Sequence, residues 1–359
     1  MTKTRATNQE TLLSSIIDTG LCTGCGACVA LCPYMKTHNA QTVALFKCDR
    51  EDGRCYRYCP RNETDLEKLQ QKLFDASDIT EELGALKGLY MTRASDDYIR
   101  KKAQHGGTVT ALVALALDEN LLDACVLADQ DAKQLPISFT AKDSTQALKA
   151  AGSKFGNSPT VAEFNRVSSK SSQRLGVVAT PCQAKALAKM KADPAKEDVG
   201  RIDNLKLVIG LFCGWTLDWR KLNRLVREIV GDQEILALDI PPSKHACMEV
   251  TTASGITEIG IEKVDECVRE CCDYCDDMTA EFADISVGSA RSPEGWDVDK
   301  GWNQVIVRSE KGLELLNLAR EKNILEFKDP PAENLDKLKA VCAGKRKWAQ
   351  KKLNELMEK

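Results

Sequence analysis

Between Cys22 and Pro33 the chain reads Cys-x2-Cys-x2-Cys-x3-Cys-Pro, and no other run restricts the fold as tightly. Three thiolates on one short loop suit three corners of a cubane iron–sulfur cluster, and the fourth, in Cys-Pro, characteristically crosses to a second cluster. Thr23, Gly24, Gly26 and Ala27 fill the gaps with small residues, so backbone N–H groups can approach the cluster sulfurs. Cys-x2-Cys also suits tetrahedral zinc, but zinc takes its ligands in two pairs, whereas three evenly spaced cysteines before Cys-Pro fit a cubane.

The rest of the composition is consistent with bound metal. Sixteen cysteines in 359 residues, with no charged-then-apolar leader, argue for metal in a reducing compartment rather than a disulfide framework. A net charge of −3 gives no electrostatic reason to expect nucleic acid or an anionic membrane, and aromatics at 5% leave few stacking platforms for single strands. No apolar run approaches the ~20 residues of a membrane span, and a cytoplasmic protein of two or three domains is expected.

After the first motif come Cys48, Cys55 and Cys59-Pro60. A two-cluster ferredoxin uses eight cysteines; here there are seven, and the second half is irregular. By swapped ligation Cys22, Cys25, Cys28 and Cys59 hold one 4Fe-4S cluster. Cys32, Cys48 and Cys55 are left for a cubane with a non-cysteine fourth ligand, a three-iron cluster, or no cluster. Buried packing is the plain alternative for Cys48 and Cys55. Leu66, Leu69 and Leu73 show helical spacing, so a ferredoxin-like domain with a linker helix is placed at 1–75.

From residue 76 to 330 short apolar runs alternate with helical patterns, the signature of an α/β domain. The fold class expected is therefore α+β/α/β: a ferredoxin-like two-cluster domain followed by a mixed α/β domain, with a C-terminal helix over 331–359. Strands are predicted at Leu86–Met91, Ala124–Ala128, Leu175–Ala179, Leu205–Leu211, Ile285–Val287 and Val305–Val307. Helices are predicted at Thr108–Leu117, Gln183–Met190, Leu222–Val230, Gly312–Arg320 and Leu335–Lys359, with a hairpin of Met248–Thr252 and Ile256–Ile261. No Gly-x-Gly-x-x-Gly follows any predicted strand, so the usual dinucleotide fingerprint is absent. The best phosphate cradle is Gln104–Thr110, where Gly106 and Gly107 precede Thr108, Val109 and Thr110 at a helix N-terminus; a plain turn and N-cap is the alternative.

Cys267, Cys271, Cys272 and Cys275 crowd into nine residues. Cys267-x4-Cys272-x2-Cys275 has plant-type ferredoxin spacing, though a cubane can use it too; alternatively Cys267, Cys271 and Cys275 share a helical face. Cys182 and Cys213, each after a predicted strand, are candidates to complete a site there, with buried structural thiols as the alternative.

CTGCGACVALCP, Gly106–Thr110, AGSKFGNSPT, VVATPCQAKAL, IGLFC, CDYCDDMTAEFADISVG and WNQVIVRSEKG occur in this order. Together they resemble the beta-subunit family of coenzyme F420-reducing hydrogenases and dehydrogenases, over roughly residues 20–320. The resemblance implies an iron–sulfur flavoprotein with two or three 4Fe-4S clusters and FAD in the α/β domain, exchanging hydride with coenzyme F420 or a similar acceptor. It implies Gly106, Gly107 and Thr108 at the flavin, Ser153 and Lys154 close to flavin or substrate, and Cys182, Cys213, Cys272 and Cys275 around the cluster nearest it. His105 stands where many relatives carry Ser, and Cys267 and Cys271 are additions. His105 and Lys154 are the candidate catalytic residues; a helix-cap histidine and a surface lysine are the plain readings. Partners implied are hydrogenase, formate dehydrogenase or other redox subunits, or ferredoxin. The competing readings are an electron-transfer adaptor without its own substrate and a stand-alone ferredoxin-dependent reductase.

Overall fold

The computed structural model describes residues 7–170, 172–240, 246–290 and 301–358. Its centre is an eight-stranded sheet of Gly88–Ala94 (β1), Ala124–Gln130 (β2), Pro136–Ala141 (β3), Leu175–Ala179 (β4), Leu205–Leu211 (β5), Ile285–Ser289 (β6), Asn303–Val307 (β7) and Leu325–Lys328 (β8). The spatial order is β8-β1-β7-β6-β5-β4-β2-β3. The inner four, β6-β5-β4-β2, are parallel, and the flanking pairs are antiparallel. Parallel strands covered on both faces read as unbroken apolar runs, and every residue of β4 is buried.

The larger helices are Thr108–Asp118 (α1), Thr160–Ser168 (α2), Pro181–Ala192 (α3), Trp219–Val230 (α4), Glu310–Glu321 (α5) and Ala332–Met357 (α6). One face of the sheet packs Leu207, Ile209 and Val287 under α1 and α5 through Leu112, Leu115, Leu315 and Leu316. The other packs Val177 and Val208 under α2 and α3 through Phe164 and Leu187, and the same core takes in Cys25, Ala27 and Tyr58 from the N-terminal segment. The cysteine-rich segment therefore rests directly on the helices that follow β3 and β4. Arg54 secures it through Asp198 (2.6 Å), whose other carboxylate oxygen accepts from the Tyr58 hydroxyl (2.9 Å).

Beside the sheet, α4 packs on an antiparallel ribbon of Ala237–Asp239, Cys247–Thr252 and Gly255–Gly260. Leu222, Val226 and Val230, four residues apart, form its buried stripe. The expected hairpin is present, but Ile261 opens a short helix instead of ending the strand. Strand β1 begins two residues later than predicted and extends to Ala94. Both sheet edges, β3 and β8, escaped sequence reading: PISFTA opens with proline, and LEFK is short and charged, which is how edges are protected. Helix α6 begins three residues earlier than predicted, and Lys359 lies outside the described residues. No described helix is long and apolar enough to cross a membrane.

Arg308, at the end of β7, is fully buried. It donates to Ser286 Oγ (2.9 Å), Ala85 O (2.8 Å), Thr279 O (3.1 Å), Thr279 Oγ1 (2.9 Å) and, more closely still, Leu83 O. One guanidinium thus joins the chain entering the sheet to the turn before β6.

Candidate functional site

The loop from Cys22 to Cys28 has no regular structure, and Gly24 and Gly26 take left-handed backbone at φ +65° and +87°. A Cβ on Gly26 would stand 2.7 Å from the Ala162 nitrogen, so only glycine allows the loop to seat on α2. Asn157 donates to Gly24 O (2.7 Å), Asn165 to Ala27 O (3.2 Å) and Val29 O (2.8 Å), and Arg269 to Cys22 O (2.9 Å). These bonds fix the loop's carbonyls outward.

Cys22, Cys25, Cys28 and Cys59 converge. Burial first, then neighbouring Cys25, Cys22 and Cys59, pushes the Cys28 thiol well above its ordinary range. Burial holds Cys59 up at about 11, with Cys22 adding to the shift. Three buried thiols, Cys25, Cys28 and Cys59, each held up by burial and by neighbouring thiols, need a cationic core to become thiolates together. Cys32, Cys48 and Cys55 form a second group: burial raises Cys55 to about 11, and Cys32 and Cys48 push it in the same direction. Gln9 shapes that group, accepting from the Cys48 N–H (2.7 Å) while donating to Phe46 O (2.9 Å). Cys55 also bears on Cys28, so the two groups adjoin.

A third group surrounds a small cavity walled by Cys182, Cys213, Cys271, Cys272 and Cys275 together with Arg61, Thr216 and Lys345. Cys182 opens α3, where Thr180 and Gln183 form a capping box around Pro181, and Cys213 follows β5. The Thr216 N–H points at Cys272 Sγ (3.4 Å). The adjoining Cys271 thiol, and after it Thr216 and Arg269, draw Cys272 below the ordinary thiol range. Cys182 also bears electrostatically on buried Cys25, so the first and third groups adjoin too. Two guanidinium groups tie them: Arg61, just after Cys59-Pro60, donates to Cys271 O (2.5 Å) and more closely to Tyr274 O, while Arg269 reaches Cys22 O.

Cys267 does not join this group. It is buried with Leu217, Leu222 and Val226, its sulfur 3.8 Å from Lys263 O. The helical face proposed for Cys267, Cys271 and Cys275 is not formed, because helix Ile261–Asp265 ends early and only a single tight turn, Glu270–Cys272, follows. The break lets Arg269 turn toward the first group. Among the described residues no three His, Cys, Asp or Glu side chains are placed, as they stand, to hold a single metal ion.

A cavity of about 480 Å³ opens at the carboxyl ends of the four parallel strands, lined by Leu127 and Ala128 of β2, Val178 of β4, Leu211 of β5 and Val287–Ser289 of β6. This is where open α/β sheets bind ligands. Gln104, His105, Gly107, Thr108, Val109, Thr110, Ser153 and Lys154 all line it. Gly106 lies behind, where a Cβ would meet Asn303 Oδ1 at 2.9 Å and Thr92 O at 3.0 Å. Gly107 caps α1 at φ +79°, and the first helical amide, Thr108 N–H, donates to Asn303 Oδ1 (3.2 Å). Lys154 Nζ faces Ala151 O (3.3 Å) with Ala150 O and Gly152 O at 3.5 Å, and burial lowers its pKa. Sequence reading missed Phe155, Phe212, Trp215, Thr216, Gln183 and Asn303 in this wall. Trp215 and Thr216 were findable, following Cys213 after a strand; Asn303, within WNQVIVRSEKG, arrives from antiparallel β7, and that run does not show that it meets α1. Cys213, Gly214, Trp215 and Thr216 line both this cavity and the cysteine cavity.

Comparison with known proteins gives the same picture. Residues 15–35 match the 4Fe-4S binding domain. Residues 89–163 and 172–333 match the N-terminal and C-terminal parts of the coenzyme F420 hydrogenase/dehydrogenase beta subunit. The chain is 31% identical to the coenzyme F420 hydrogenase subunit beta of Methanothermobacter thermautotrophicus, covering 76% of this chain and 95% of that one. It is 27% identical to the F420-dependent formate dehydrogenase subunit beta of Methanocaldococcus jannaschii, covering 73% and 68%. A chain in the structure of the F420-reducing NiFe hydrogenase complex from Methanosarcina barkeri superposes with TM-score 0.67 at 26% identity, covering 77% of this chain and 94% of that one. A cysteine-rich segment matching a 4Fe-4S domain, set on an α/β sheet matched along most of its length, belongs to an iron–sulfur oxidoreductase of the coenzyme F420 hydrogenase/dehydrogenase beta-subunit family.

Proposed function

We propose that this chain is an iron–sulfur flavoprotein subunit that carries single electrons through its cysteine groups to FAD, for hydride exchange with coenzyme F420 or a similar acceptor. The observation that carries this reading is the Cys213–Thr216 loop, which is wall to both the third cysteine cavity and the large one. The residues fit a flavin: a volume within the usual ligand range of roughly 300–1,000 Å³, an apolar wall with Phe155, Phe212 and Trp215, and two helix N-termini at α1 and α3 suited to phosphate. A flavin would supply the exchange between one-electron and two-electron chemistry.

The protein's part is to order and insulate. The cysteine groups run from Cys32, Cys48 and Cys55, through Cys22, Cys25, Cys28 and Cys59, to Cys182, Cys213, Cys272 and Cys275. Val109 and Thr110 N–H groups in the first turn of α1 orient an anionic ligand group. Lys154 offers a cation to that ligand or to the acceptor, and His105 at the rim can hold or pass a proton. Electrons enter from a partner redox subunit or ferredoxin at the N-terminal segment.

Anaerobic purification followed by flavin extraction, iron and sulfide counting and turnover of coenzyme F420 tests the reading. FAD together with acid-labile sulfide is expected; clusters without flavin would favour a pure electron relay and overturn it. Gly106→Val is expected to lose the flavin with iron content unchanged, because its side chain would displace Asn303 and the α1 amide it holds. Bound flavin at the wild-type ratio would show that α1 is not the cradle.

A further inference from the structure

Helix α6 continues to Met357, whereas the match to the family ends at residue 333. Its buried stripe is Leu338, Cys342 and Ala349. Lys345 occupies the same stripe, three residues after Cys342 and four before Ala349, where the pattern calls for an apolar residue. Its ammonium points inward to Cys213 O (3.1 Å) and Gly214 O at hydrogen-bond distance, and it lines the third cysteine cavity. The helix is held firmly around it. Arg346 pairs with Glu281 (2.5 Å), Asn334 donates to Ala290 O (3.2 Å), and Trp348 Nε1 donates to Asp273 Oδ1 (3.3 Å) between Cys272 and Cys275. So α6 touches two of the three segments that supply the third group's thiols, the Cys213 loop and the Cys271–Cys275 turn.

We propose that α6 is a redox-tuning cover for the third cysteine group, with Lys345 as the positioning residue that fixes the Cys213–Gly214 loop and raises the reduction potential of the cluster held there. The inference rests on the cluster assignment made above. Four thiolates give such a site a negative charge that grows on reduction, and a nearby fixed cation favours the reduced form. The ammonium stands in the wall of that cavity, so its charge acts at short range on whatever the cavity holds.

The test is a potentiometric titration of the anaerobically purified full-length protein, followed by electron paramagnetic resonance. Cys275→Ser first identifies the signal belonging to this group. Lys345→Gln, which keeps a hydrogen-bond donor but removes the charge, is expected to shift that signal to lower potential with iron content unchanged. Lys345→Arg is expected to restore the wild-type value. An unshifted potential in the Gln variant overturns the proposal, as does equal loss of the cluster in both variants, which would make Lys345 only a structural prop. A wild-type spectrum that Cys275→Ser leaves unaltered would instead remove the cluster assignment, and the proposal with it.

Discussion

Replacing Cys25 by Ser is expected to abolish one cluster and stop electron flow from the N-terminal segment while leaving the large cavity intact. Cys25 is buried, it packs into the core beneath α2 and α3, and Cys182 of the third group bears on it electrostatically. A serine hydroxyl is a poor substitute for a thiolate on iron, and it leaves the other buried thiols of its group without a shared core. The expected result is a drop of one cluster's iron and sulfide per chain, with reduction by an external donor lost. Unchanged iron content would overturn the assignment of Cys22, Cys25, Cys28 and Cys59 to one site.

Arg308→Met is expected to produce the largest loss of stability of any single charge removal in the sheet. The guanidinium is wholly buried and serves Ser286, Leu83, Ala85 and Thr279 at once, with Glu281 and Asp277 close enough to favour its charge against the cost of burial. Removing it strands several carbonyl oxygens and takes a favourable charge from beside buried Asp277 and Glu281, of which Glu281 keeps its pair with Arg346. Losses of this kind run to about 3–5 kcal/mol. Lysine cannot rescue it, since a single ammonium does not reproduce the fork that spans three segments. A denaturant midpoint equal to that of the wild type would show that the cluster of acceptors relaxes to water.

Much of the α/β core could be read from the chain because its central strands are covered on both sides and so carry unbroken apolar runs; Leu175–Ala179 and Leu205–Leu211 coincide with β4 and β5. Edge strands carry no such mark, and Pro136–Ala141 passed unseen for that reason. The crowding of cysteines into three spatial groups followed from motif spacing and chain order. The four-residue interval from Cys267 to Cys271 suggested a helix that the chain breaks before Arg269. Lys345 was invisible, since it reaches its place from an element remote in sequence whose local pattern says nothing of its neighbours, and Asn303 lay inside WNQVIVRSEKG with nothing in that run to tell its contact with α1.

Arg61 and Arg269 bind carbonyls across the junction between the front segment and the turn that carries Cys271, Cys272 and Cys275. Under the proposed electron route, the gap crossed there is set by covalent chain and short hydrogen bonds, not by a docking encounter. Transfer across that junction should be first order and indifferent to protein concentration, ionic strength and solvent viscosity, leaving only the meeting with an outside donor to diffusion.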